Sequence, residues 1–226
     1  MLALDFPNER SLHSKPISRL GGVAIVGGVS APLLWQSNFP LLSALLVLSL
    51  LSLIDDLRGL KVWVRLLIQA LVIGSYYWMS FSDAMSFMAL VVLGASAIWL
   101  TNLYNFMDGI DGLAGGMAVA GFATYAVGFF IADQIAWSIV ALSISSASAA
   151  FLWFNFHPAK IYMGDAGSIP LGFMAAALGT IGWVTDVWPI WFPFVVFSAF
   201  ITDATVTLIR RYARGEKIWL PHREHF

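Results

Sequence analysis

Eight apolar runs account for most of this 226-residue chain, and few folds accept that pattern. They cover residues 20–37, 40–54, 62–80, 85–104, 114–132, 134–154, 168–185 and 187–208. A helix crosses the hydrocarbon core of a bilayer with about 20 mostly apolar residues, within a range of about 17 to 25. Several runs are separated by only a few residues, enough for a tight hairpin and too few for a soluble domain. Only 11% of residues are charged, where soluble domains carry about 25%, and the mean hydropathy is +0.81. The expected fold is therefore all-α: one polytopic membrane bundle of about eight transmembrane helices over residues 1–226. Residues 1–19 lack the apolar stretch of a signal peptide, so insertion rests on the spans themselves.

Charge placement tests this count. With eight alternating helices, all twelve Lys and Arg fall on one face: Arg10, Lys15, Arg19, Arg58, Lys61, Arg65, Lys160, Arg210, Arg211, Arg214, Lys217 and Arg223. The turns near Asn38, Asp83, Asp133 and Asp186 hold none. By the positive-inside rule the basic face and both termini are expected in the cytoplasm, and a wrong helix count would scramble the segregation. The net charge of -1, with no Lys/Arg-rich run, argues against a nucleic-acid partner. The absence of Cys excludes disulfides, thiolate metal sites and Cys nucleophiles.

The polar chemistry gathers on that same face. In TNLYNFMDGIDGLAGG, from Thr101 to Gly116, the residues Asn102, Asn105, Asp108 and Asp111 are three apart. On a helical or 3₁₀ turn that spacing stacks them along one line. Asp55 and Asp56 end the second span, where the helix dipole prefers cations; two acids there call for a compensating charge, either Arg58 or a divalent metal. Mg²⁺ is commonly held by one or two carboxylates together with phosphate oxygens. Asp165 lies in MGDAGS, whose small residues either cap a helix or leave backbone N–H groups for a phosphate. Asn155, His157 and Tyr162 upstream offer an amide, an imidazole and a ring. In the tail, His222, Arg223 and His225 concentrate phosphate donors. Lys15 and Arg19 precede a Gly pair in a basic juxtamembrane loop.

The segments NERSLHSKPISRLGG, LIDDLRG, NLYNFMDGIDGLAGG, HPAKIYMGDAGS and PHREH, in this order and on one face, resemble the polyprenyl-phosphate N-acetylhexosamine-1-phosphate transferases. PHREH resembles the O-antigen and teichoic-acid initiators more than the peptidoglycan branch, whose tail carries three His. The resemblance implies an enzyme that moves a sugar 1-phosphate from a UDP-N-acetylhexosamine to undecaprenyl phosphate, releasing UMP, with Mg²⁺ or Mn²⁺ as cofactor. It places Asp165, and with it Asp108, at the metal. Asp55 and Asp56 match the acidic pair near the lipid phosphate. Asn102, Asn105, Asp108 and Asp111 fall in the nucleotide-sugar loop, and Asn155 and Tyr162 at the uracil. Lys15, Arg19, His222, Arg223 and His225 match basic positions of the substrate site.

The same resemblance implies a multi-pass protein of the bacterial cytoplasmic membrane, with its site facing the cytoplasm and a homodimer compatible with the fold. Family members carry a further span before the NERS-like loop and another after the tail, whereas this sequence begins and ends at those loops. The competing expectations are a peptidoglycan enzyme acting on a muramoyl-pentapeptide donor, a non-catalytic membrane subunit, and a transporter. A transporter needs charge near the bilayer midplane, which only Asp203 approaches.

Overall fold

A computed structural model describes residues 4–5 and 16–214. Lys15, His222, Arg223 and His225 lie outside the described residues. In chain order the elements are β1 (Leu4–Asp5), β2 (Ile17–Ser18), α1 (Gly21–Trp35), α2 (Phe39–Arg58), α3 (Val62–Phe81), α4 (Phe87–Met107), α5 (Leu113–Ile131), α6 (Ile135–Asn155), α7 (Asp165–Val184), α8 (Phe192–Val196) and α9 (Ser198–Ala213). The protein is an all-α membrane bundle.

Among the described residues, six helices, α2 to α7, are long and apolar enough to cross a membrane. The two expected spans at the ends differ from them. The first is a helix of only 15 residues. The last is divided at Phe197 between α8 and α9. Helix ends also move relative to the hydropathy runs. Helix α2 continues to Arg58, so Asp55 and Asp56 occupy its last turn. Helix α4 continues to Met107 and carries Asn105, while α7 begins at Asp165 itself. Polar residues at a span end lower the hydropathy average without breaking the backbone ladder, so the helix outlasts its apolar run.

Helix α7 is the centre of the bundle. Sixteen of its 20 residues are buried, and it packs against α1, α2, α4 and α5. Lipid tails are as apolar as Leu, so helices in a membrane associate through close packing and shared hydrogen bonds. Gly167 and Gly22 supply the first: a Cβ on either would overlap the backbone of the other, so α1 and α7 touch main chain to main chain. Inter-helix hydrogen bonds supply the second. Tyr77 Oη and Thr180 Oγ1 are 3.0 Å apart, Tyr125 Oη donates to the Ala175 carbonyl, and Tyr104 Oη donates to the Ala114 carbonyl. Pro170 inside α7 lacks the N–H that would bond the Ala166 carbonyl. Ser49 Oγ of α2 donates to that carbonyl at 2.9 Å instead.

At one end of the bundle, chain segments distant in sequence are tied together. β2 pairs with β1 and forms a bridge to Ile161. Tyr162 N–H donates to the Ser18 carbonyl, and the Gly21 and Gly22 N–H groups donate to the carbonyls of Tyr162 and Met163. The segment before α1 and the loop before α7 therefore form one platform.

Candidate active site

At this end the last turns of α2 and α4 meet the first turns of α3 and α7. One guanidinium stands among their acids: Arg65 Nη1 is 3.0 Å from Asp55 Oδ2 and 3.3 Å from Asp165 Oδ2. Asp55 Oδ1 accepts from the Leu60 N–H at 2.6 Å, and Gly59, with φ +66, makes the turn that allows it. Asp56 points the other way, with Arg19 Nη1 at 3.7 Å from its Oδ1. Its side chain is only 4% exposed, and its Oδ2 is a buried acceptor with no hydrogen-bond partner.

Asn105 sorts its two amide atoms between neighbours on α7. Its Nδ2 donates to Asp165 Oδ2 at 3.4 Å, and its Oδ1 accepts from Ser168 Oγ at 2.6 Å. Asp165 opens α7, where the helix dipole favours an acid. The backbone amides of Gly164 and Ala166 face Asp108 and Asp56 respectively. Gly164 has φ +70, and a Cβ there would press on the Arg19 carbonyl and on Asp56 Oδ2. A side chain at this position is thus excluded twice, by backbone conformation and by the acid beside it.

Asp108 caps the end of α4. Part of its surface is exposed, yet protein closely surrounds its carboxyl. This burial, and after it the negative charge of Asp165, push the carboxyl well above the usual carboxylate range. Asp56 adds to the effect, while Arg19 opposes it. The site therefore concentrates negative charge that Arg19 and Arg65 only partly balance.

The regular line Asn102, Asn105, Asp108 and Asp111 is divided by the tertiary structure. Asn105 and Asp108 join Asp165. Asn102 lies one turn deeper, donating through Nδ2 to Gln69 Oε1 of α3 and to the Ile98 carbonyl, each at 2.8 Å. Asp111 stands past the end of α4, where its Oδ2 lies 3.0 Å from His157 Nδ1 and accepts from the Ala159 N–H at 3.0 Å. Asn155 joins the two loops from below: its Oδ1 accepts from the Gly112 N–H and its Nδ2 donates to the Ile161 carbonyl, both at 2.9 Å. Tyr162 is held by its backbone on the platform with β2.

Three side chains of this site are not among the candidates that the sequence offers: Arg65, Gln69 and Ser168. Arg65 counted there as a topogenic cation, and Gln69 lay inside an apolar run. A Gln within such a run was the available signal, since a fully buried amide needs partners.

Among the described residues no three acidic or imidazole groups gather tightly enough to enclose a metal ion alone. A hard cation that takes one or two carboxylates and completes its shell with phosphate oxygens needs no such cage. The orphaned Asp56 Oδ2 and the carboxyls of Asp108 and Asp165 supply oxygens of that kind.

Residues 38–183 match the model of glycosyl transferase family 4. The chain belongs to this family. It is 30% identical over 243 residues to a probable undecaprenyl-phosphate N-acetylglucosaminyl 1-phosphate transferase of Bacillus subtilis, covering 99% of this chain and 68% of that protein. A decaprenyl-phosphate N-acetylglucosaminephosphotransferase of Mycobacterium leprae is 28% identical, with 99% of this chain and 68% of the relative covered. A phospho-N-acetylmuramoyl-pentapeptide-transferase of Latilactobacillus sakei is 35% identical over a shorter match, 54% of this chain and 43% of the relative. The matched residues 38–183 include Asp55, Asp56, Arg65, Asn105, Asp108 and Asp165 of the site above.

Proposed function

We propose that the protein transfers N-acetylhexosamine 1-phosphate, of the N-acetylglucosamine type, from its UDP-sugar to undecaprenyl phosphate, releases UMP, and so initiates a cell-envelope polysaccharide such as an O-antigen. The observation that carries this reading is the convergence of Asp55, Asp56, Asp108 and Asp165 with Arg19 and Arg65 at one end of a membrane bundle. The relatives named for N-acetylglucosamine transfer match 99% of the chain, whereas the pentapeptide transferases match 54%, 76% and 86% of it. This favours the simpler sugar donor over a muramoyl-pentapeptide.

In the reaction a phosphate oxygen of the lipid attacks the sugar-bearing phosphorus of the diphosphate. A new P–O–P linkage forms, the old one breaks, and UMP leaves with the bridging oxygen. Several negative charges meet, so catalysis rests on positioning and neutralisation. A Mg²⁺ ion, or Mn²⁺ in its place, would supply the larger part of that neutralisation, with Asp165 and Asp108 as its residues and Asp56 Oδ2 beside them. Arg19 and Arg65 add positive charge beside Asp56 and Asp55. Asn105 and Ser168 fix the orientation of Asp165. The loops joined by Asn155 form the nucleotide side, with Asp111 and Tyr162 upon them. His222, Arg223 and His225 of the tail, and Lys15 four residues before Arg19 in the sequence, are assigned to the substrate phosphates by the family resemblance alone. All of the chain's Lys and Arg fall on one face by sequence, which supports a site opening to the cytoplasm.

UMP release from UDP-N-acetylglucosamine with undecaprenyl phosphate and Mg²⁺ tests the reading, with UDP-N-acetylmuramoyl-pentapeptide as a competing donor. Turnover with the first donor alone is expected, and D165N should lower it by about 10²–10³-fold. Turnover with the pentapeptide donor alone would replace the sugar assignment. Turnover indifferent to D165N would remove Asp165 from the site.

A further inference from the structure

Arg65 holds two acids with one nitrogen. Its Nη1 reaches Asp55 Oδ2 at 3.0 Å and Asp165 Oδ2 at 3.3 Å, and Asn105 Nδ2 shares the second oxygen at 3.4 Å. Its Nε is buried without a hydrogen-bond partner. The grip is therefore not the two-pronged fork that makes Arg–carboxylate pairs strong. Arg65 also joins the end of α2 to the start of α7 from a third helix, since it lies in the first turn of α3. Its side chain is 19% exposed, so solvent reaches part of it.

One of the oxygens that Arg65 grips, Asp165 Oδ2, belongs to the group of carboxylates that suits a hard divalent cation. Asp56 Oδ2, which a Cβ on Gly164 just before Asp165 would meet, is a buried acceptor without a hydrogen-bond partner. A cation settling on that oxygen and on Asp165 brings two positive charges against the guanidinium, and the two compete for Asp165 Oδ2. We propose that Arg65 is an internal competitor of the divalent cation: while paired with Asp55 and Asp165 it holds the acids together, and displaced by the ion it turns its donors to a phosphoryl oxygen. Cation binding then precedes the arming of the guanidinium, which imposes an order on the site. This inference rests on the metal reading given under the proposed function.

Mn²⁺ binding to the purified full chain in lipid nanodiscs, followed by electron paramagnetic resonance without either substrate, tests it apart from turnover. Compared with wild type, R65Q and R65M should each bind Mn²⁺ about ten-fold more tightly, a coupling of the usual allosteric size. In EDTA both variants should melt below wild type, because the acids lose their internal counter-ion, and Mn²⁺ should restore the difference. Two charge-removing variants are used so that a folding failure in one leaves the other to decide. Unchanged or weaker Mn²⁺ binding in a folded variant overturns the competitor role alone. Wild-type protein that binds no Mn²⁺ overturns the metal reading and this inference with it; UMP release measured with and without Mg²⁺ shows whether the transferase reading survives.

Discussion

Asn155 shows how one buried side chain can hold a site it need not touch. It is 4% exposed and spends its amide on two backbone groups, the Gly112 N–H and the Ile161 carbonyl, which belong to the two loops flanking the acids. In N155A both groups lose their partner, and a buried unsatisfied group costs about 1–3 kcal/mol. The thermal midpoint should fall accordingly, and UMP release should fall further than the remaining folded fraction explains. A variant that melts early yet turns over normally per folded molecule would confine Asn155 to stability. In the sequence Asn155 reads as a candidate ligand of a base. In the fold its amide bonds both loops, a contact that depends on which loops fold together.

At the scale of single elements, Pro170 and Ser49 form a compensating pair. Proline removes the donor for the Ala166 carbonyl in the most buried helix of the bundle, and a serine from α2 replaces it. Hydrogen bonds between membrane helices are worth about 0.6 kcal/mol on average, and an unsatisfied buried carbonyl costs about 1–3 kcal/mol. S49A should therefore destabilise the protein by about 1 kcal/mol. In a P170A background the penalty should shrink towards zero, because residue 170 regains its own N–H. Thermal unfolding of the four proteins in one detergent gives the cycle, and additive effects would mean that Ser49 acts elsewhere. The pair is invisible to a hydropathy reading, in which Ser49 is one more small residue within an apolar run.

For the whole molecule, orientation is the property to measure, and the chain offers a clean background because it contains no Cys. Lys61 and Asp83 are exposed and lie at opposite ends of α3. In intact cells a membrane-impermeant maleimide should label D83C and spare K61C, with K61C reacting after permeabilisation. The reverse pattern would turn the site to the outer face and remove UDP-sugars, which are made inside the cell, as donors. Assembly around α7 has its own consequence. G167A should separate α1 from α7, since a Cβ there meets the backbone of Gly22. The expected result is loss of folded protein in detergent, a larger effect than S49A.

The amino-acid sequence by itself determined that this is a helical membrane protein and which acids lie at the ends of its apolar runs. Hydrophobic length and charge position are local quantities, and the bilayer reads them locally. It also carried the motifs that place the chain in its family. Tertiary structure alone decided how the acids are distributed. Asp108 and Asn105 turn to Asp165, while Asp111, on the same three-residue spacing, turns to His157 and Ala159. It likewise made Arg65 the partner of Asp55 and Asp165 although ten residues or more separate it from either. The physical reason is helix rotation. Which side of a span faces its neighbours is set by where small residues such as Gly22 and Gly167 let backbones touch, and an evenly apolar run leaves that rotation open.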